Sequence, residues 1–295
     1  MAGFNEKPSD DALNGPDGVN GSEDDSQIED YTIPIPKDMT LDDKKEHLKQ
    51  IVGNFIKLST VTKNGAAGAS LDGDEKTLSR IAITKWSKDS WVLILARLAT
   101  RGLSATPELA NLVREELLKF LEVDIKNKIG YVIEWLNEEY YHEKITYEHR
   151  QKESPDSPEL SHDEQHKTYL HYASVILNFV INFADSSDRK IFIRLLSELP
   201  YLNLSLLRQL KSICYDPTRR TLGTHSLLYL VMFKPPLFNE CIELYIEMLN
   251  EKGNVDELLQ KECIKQLTKY AKDRIPAEFI PTSATVVSQI PVKAD

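Results

Sequence analysis

Residues 214–236 read CYDPTRRTLGTHSLLYLVMFKPP, and the reading of this stretch decides the fold. Asp216-Pro217 has the form of an N-cap followed by a first-turn proline, where a missing N–H is harmless. Leu227 to Phe233 is an unbroken apolar run. Pro235-Pro236 then closes the segment, because the residue before a proline is pushed away from helical geometry. A helix over about 217–234 is predicted. Gly223 inside it should cost about 1 kcal/mol relative to alanine. Something must need that space, most simply a neighbouring helix crossing close by.

The same punctuation recurs outward from this helix. Helices are predicted over about 188–199, 203–214, 236–250 and 255–272, with connections of only a few residues. Lys252-Gly253 reads as a helix stop, and Asn254 with Glu257 resembles a capping box. Residues 169–184 carry Leu170, Val175, Ile176, Leu177, Phe179, Val180, Ile181 and Phe183. A helix apolar on nearly every side must be covered on nearly every side. Toward the N-terminus, Thr40 caps a helix with Leu48, Ile51, Val52, Phe55 and Ile56 on one face. A Gly/Ala loop, NGAAGASLDGD, follows it, and residues 76–100 form two helices divided near Asp89. Thr106-Pro107 opens a helix through Leu121. The next runs from Ile125 to about Glu143 and packs antiparallel to it.

Successive helices joined by tight turns, with no alternating β-branched runs, are what stacked helical pairs of the HEAT type produce. The fold class is therefore all-α, a HEAT-like helical repeat array (α-solenoid). The reading rests on rhythm, since no motif repeats at a fixed period. The expected organisation is a disordered acidic segment over 1–38, a helical region over 39–146, an exposed loop over 147–163, a HEAT-like region over 164–274 and an irregular tail over 275–295. Of the net charge of −10 over 295 residues, −8 falls within residues 1–38. That segment is rich in Gly, Asn, Asp and Ser and has too little apolar surface to offset its chain entropy.

Composition narrows the function. An apolar content of 41% is enough for a sizeable core. The longest apolar run is far short of the roughly 20 residues that span a bilayer. Net acidity speaks against broad binding of nucleic acid, which needs lysine and arginine to neutralise phosphate. Cys214, Cys241 and Cys263 have no C-x-x-C spacing and sit among apolar residues, the pattern of reduced, buried thiols.

His162 and His166 stand at i and i+4, but a zinc protease places glutamate directly after the first histidine, and here Asp163 stands there. Both read as exposed at a polar helix start. Glu138, Glu139 and Glu143 beside Trp135, Tyr140 and Tyr141 read as a charged face along an aromatic core stripe; acid–base work would need a cleft that separates their pKa values. NGAAGAS lacks the lysine of a phosphate-binding loop. No catalytic, metal or cofactor residue is assigned, and the chain is expected not to be an enzyme.

Arg208, Lys211, Arg219 and Arg220 differ in kind. They flank one tight turn, and Arg219 and Arg220 lie in the first turn of a helix, where positive charge opposes the macrodipole. An acidic group, intramolecular or from a partner, must compensate them. They are the candidate partner-binding residues.

The run CYDPTRRTLGTHSLLYLVMFKPP, followed by FNECIELYIEMLNEKGNVDELLQKECIKQLTKYAKDRIP, closely resembles the central region of the symplekin family, including its fungal members. FIRLLSELPYLNLSLLRQLKSICYD and YVIEWLNEEY fit the same region. The signature is R-x-L-G followed by K-P-P, here Arg220 to Gly223 and Lys234 to Pro236. The resemblance covers about Leu41 to Pro276. It implies a nuclear, non-enzymatic scaffold of the mRNA 3′-end cleavage and polyadenylation machinery whose partners are the protein subunits of that factor. It implies no direct nucleic acid, membrane or small-molecule substrate. Family members are longer, with an N-terminal domain that grips a phosphatase and a further C-terminal domain, so a piece of a longer scaffold is expected. The rival readings are a zinc-dependent hydrolase using His162 and His166, or a helical adaptor in nuclear transport or trafficking.

Overall fold

The computed structural model describes residues 38–65, 91–251 and 256–279. The acidic segment, most of the Gly/Ala loop, the helices expected before Trp91, Lys252-Gly253 with Asn254, and the tail beyond Phe279 lie outside the described residues.

Among the described residues every regular element is helical. Helix α1 spans Leu41–Gly65. Its cap is reciprocal: the Asp43 N–H donates to Thr40 Oγ1 and the Thr40 N–H donates to Asp43 Oδ2, each at 3.2 Å. Helix α2, Trp91–Arg97, runs on into a π-helical turn, Leu98–Gly102. Helix α3, Pro107–Glu122, starts with proline in its first turn as read from the sequence. Helix α4 spans Ile125–Glu153, ten residues beyond the expected end at Glu143. Its last turns are polar, so the apolar period that marks a helix in sequence stops before the helix does. The irregular stretch that follows covers residues 154–161.

The remaining helices come in quick succession: α5 His162–Gln165, α6 Lys167–Phe183, α7 Arg189–Glu198, α8 Leu204–Gln209, α9 Lys211–Tyr215, α10 Arg220–Phe233, α11 Phe238–Asn250 and α12 Glu257–Tyr270. Two boundaries depart from the sequence reading. The helix expected over 203–214 breaks at Leu210 into α8 and α9. Asp216-Pro217 does not begin α10; Asp216 Oδ1 accepts the Thr218 N–H at 2.9 Å in a local turn, and the helix opens at Arg220. A short aspartate side chain two residues before a free N–H closes that turn as readily as it caps a helix. For α12 the cap is Asp256, which accepts the Leu259 N–H at 2.9 Å.

Alternate helices pack into two rows. In one, α4, α7, α10 and α12 lie side by side, with α2 against α4; in the other, α6, α8 and α11 do so, and α1 lies against α3. Between the rows runs one continuous apolar core that includes Trp91, Trp135, Phe192, Leu207, Leu230, Tyr245 and Leu267. Helices two or three apart in sequence become neighbours, as stacking of helical pairs requires. Helix α6 buries Tyr169, Tyr172, Ala173, Ile176, Leu177, Val180 and Ile181, and Phe179 and Phe183 pack partly against the core, so its all-round apolarity is covered.

Candidate docking surface

The 214–236 stretch ties its neighbouring helices together through three side-chain devices. The first is Gly223. A Cβ there would stand 2.6 Å from Cys214 Sγ and 3.0 Å from the Cys214 backbone nitrogen. No side chain fits, so glycine is what lets α10 cross α9 at this separation. The second is Arg220, whose Nη2 donates to Asp256 Oδ2 at 2.5 Å and whose Nε donates to the Cys214 carbonyl at 3.4 Å. It thereby ties the start of α10 to the cap of α12. The third is Lys234, the lysine of K-P-P. Its Nζ donates to the carbonyls of Leu196, Ser197 and Leu199 at 3.0, 3.3 and 2.6 Å. These are among the unpaired acceptors at the end of α7, and an ammonium there also meets the negative end of the helix dipole. Burial pushes the Lys234 pKa down to about 8, while three carbonyl acceptors favour the charged form.

The four candidate cations fall into two groups. Arg208 and Lys211, on α8 and α9, reach α11. Arg208 Nε lies 3.1 Å from both Glu247 oxygens, and Lys211 Nζ lies 2.8 Å from Glu247 Oε2 and 2.5 Å from Glu251 Oε1. Tyr215 also donates its hydroxyl to Glu251. The hydrogen bond from Arg208, helped by Lys211, holds the Glu247 carboxyl down at about 2. For Lys211, burial acts to lower the pKa, but the bonds to Glu247 and Glu251 outweigh it and the net shift is upward. Arg219 reaches α6 in the other row, while Arg220 reaches the cap of α12 within its own. Arg219 Nε donates to Asp216 Oδ2 and its Nη1 to the Ile181 carbonyl, both at 2.7 Å. The structure thus supplies intramolecular acids for all four. Only Arg208, with 51% of its side chain exposed, keeps substantial access to solvent.

The acidic cluster on α4 lies elsewhere than its sequence pattern suggests. Glu138 and Glu139 are buried, not a solvated face. Glu139 takes Arg114 in a two-point pair, at 2.7 and 3.0 Å, and accepts from Trp135 Nε1 at 3.0 Å. Glu138 accepts from Thr100 Oγ1 at 3.2 Å and from Arg101 Nε at 2.8 Å. Glu143 accepts the N–H groups of Thr168 and Tyr169 at 2.8 and 3.2 Å and so caps α6. A carboxylate is tolerated inside only when donors face it, and those donors come from helices far away in sequence. Burial, the largest influence on Glu143, raises its pKa.

The two histidines stay together, their ring centroids 4.6 Å apart, but differ in exposure. His162 is exposed, as expected, but His166 is 1% exposed and stacks on Tyr140 with ring centroids 4.1 Å apart. The polar surroundings of α5 in sequence hide this, because the burying ring comes from α4. Asp163 between them accepts from Tyr201 Oη at 2.7 Å and Asn203 Nδ2 at 2.8 Å. Among the described residues no group of three potential ligands is placed to hold a metal. The three cysteines are buried, free thiols, and burial raises each pKa to about 12. Sequence reasoning missed Lys234 and the capping role of Glu143; the paired prolines directly after Lys234 were the available signal for the first.

No protein-family model matches this chain, and no solved structure matches it. A curated relative does: the mRNA cleavage and polyadenylation specificity factor complex subunit pta1 of Schizosaccharomyces pombe is 27% identical over 172 residues. The match takes in 54% of this chain and 25% of that protein's length. This chain is thus similar, over about half of its own length and a quarter of that protein's, to a subunit of an mRNA cleavage and polyadenylation complex.

Proposed function

We propose that this chain is a subunit of an mRNA 3′-end cleavage and polyadenylation complex, acting in the nucleus as a non-enzymatic scaffold that binds other protein subunits through its helical surfaces. The observation that carries the reading is the similarity to pta1, a subunit of such a complex. The geometry agrees with it. The carboxylates that could have served as acid and base are occupied in joining helices. His166 is stacked under a tyrosine, and the thiols are held far from the ionised form.

Within that reading Arg208 is the docking residue of the four cations, since an acidic partner can reach it by exchange with Glu247. Lys211, Arg219 and Arg220 act alongside it by holding the surrounding helices in place. Affinity purification of the tagged chain is expected to recover cleavage and polyadenylation subunits. Arg208→Glu should weaken recovery of one of them severalfold, with the unfolding midpoint shifted by only about 2 °C, because a half-exposed pair contributes about 0–1 kcal/mol. Recovery of coat or transport-receptor proteins with no polyadenylation subunit would overturn the proposal.

A further inference from the structure

Helix α4 outruns the helix beside it. The π turn after α2 ends at Gly102, and its Arg101 lines the same hollow as His142 on α4. Beyond that level α4 continues for about three turns to Glu153. The hollow left beside this overhang has a volume of about 430 Å³ and is bounded by Arg101, His142, Ile145, His149, Arg150 and Glu153. Ile145 is 56% exposed. Across the overhang a second cleft, of about 460 Å³, shares His142 and Arg150 and adds Lys167 together with the acids Glu143 and Glu164.

The polar rim is biased in sign. Arg97 and Arg101 both approach one carboxylate, Glu138, and each does so through its Nε, at 3.5 and 2.8 Å. Glu138 is buried, whereas more than half of each arginine side chain is exposed. A single negative charge therefore faces two positive ones, and it fixes the guanidinium planes while their outer edges stay in solvent. Arg150 makes no ion pair among the described residues. Glu153 is engaged by His149 Nδ1 at 3.3 Å. Burial, the first influence on His142, lowers its pKa, so at neutral pH it adds a hydrogen-bonding ring and no charge.

We propose that this hollow is a docking site for an acidic, amphipathic peptide segment of a partner protein. An apolar side chain of the segment would cover Ile145, while its carboxylates would meet Arg101 and Arg150. Charge complementarity selects this occupant: fixed guanidinium forks suit carboxylates, arginine is enriched at interface hot spots, and the exposed Ile145 between them offers apolar surface for a partner side chain to cover. The surface is separate from Arg208 and stands whether or not the chain serves in 3′-end processing.

The test uses the full chain and a fluorescein-labelled peptide with leucines at helical spacing among glutamates, read by anisotropy. The wild type is expected to bind it, more weakly as salt rises. Ile145→Glu combined with Arg150→Glu should weaken binding by about tenfold or more, with Lys265→Glu, an exposed cation on α12, unchanged from wild type. Both altered side chains are exposed, so the unfolding midpoint should move by no more than about 2 °C. Absence of binding, equal binding by the double variant, or tighter binding of single-stranded oligouridine at the same residues would each overturn the proposal. Binding that appears only after residues 66–90 are deleted would also overturn it, since this chain's own segment would then be the occupant.

Discussion

A methyl group on Gly223 would land against a sulfur and a backbone nitrogen of Cys214, and the two contacts can be separated experimentally. Gly223→Ala gains about 1 kcal/mol of helix propensity but forces α9 and α10 apart, at a cost of about 1–3 kcal/mol with larger values when backbone must move. A net loss is expected, a drop of several degrees in the melting midpoint. Adding Cys214→Ala removes the sulfur and leaves the backbone contact, so the double variant should be less destabilised than the two single losses summed. Simple additivity in thermal melts would show that α9 and α10 do not meet there. Lys234 is the second residue whose loss should be felt. Lys234→Met keeps the stem but strands three carbonyls at the end of α7, which should cost about 2 kcal/mol or more. Lys234→Arg should recover part of it, since a guanidinium still donates. Urea denaturation of both variants checks this, and an unchanged midpoint for Lys234→Met would remove the capping role.

Between elements, the joint of α4, α5 and α6 carries the pH dependence. His166 sits between Tyr140 of α4 and Tyr201 of the connection that follows α7, with Glu143, His162, Lys144 and Asp163 as the titratable groups around it. Burial, reinforced by His162 and Lys144, lowers its pKa to about 4. Its Nδ1 lies 4.0 Å from Glu143 and makes no hydrogen bond among the described residues. Below the ordinary histidine value of 6.5 the unfolded chain takes up a proton that the folded chain refuses, so stability falls as pH drops from 6.5 toward 4 and then levels. Glu143, raised by burial, has the opposite sign and offsets part of that fall as pH passes between its ordinary and its raised value. His166→Phe keeps the stack on Tyr140 and should flatten the fall between pH 6.5 and 5, with the slope left over coming from His142 and Glu143. Denaturation midpoints across that range decide it; identical slopes would assign the effect to other groups. This joint also shows where the sequence was silent. The cap of α1 at Thr40 and the first-turn proline of α3 at Pro107 were legible because both are local chemistry, although Thr106 turns its hydroxyl to the Leu103 carbonyl and caps nothing. His166, Glu138 and Glu139 were misplaced because their covering groups, Tyr140, Arg101 and Arg114, come from other elements. No spacing within one helix reports such a partner.

For the whole molecule, the rhythm of short turns was enough to give the two rows, because a helix apolar on several sides can satisfy itself only against neighbours on several sides. The rhythm could not give which cations face outward, since Glu247 and Asp256 approach Arg208 and Arg220 only once the rows are stacked. Stacking of this kind has an energetic consequence. In each row a helix touches the helix before it and the helix after it, so a loss at one end is transmitted through interfaces, one after another. Helix α12 packs on α10 and α11 and lies far along the chain from α2 and α3. Leu267 on α12 is fully buried, and Leu267→Ala should cost about 2–5 kcal/mol at that site. If stability follows neighbour interfaces, amide exchange should accelerate in α10, α11 and α12 and stay close to wild type in α2, α3 and the first half of α4. Hydrogen-exchange mass spectrometry reads both regions in one experiment. Equal acceleration at the two ends would show that the continuous core behaves as a single cooperative unit, and surfaces at opposite ends of the rows could then not be loosened independently.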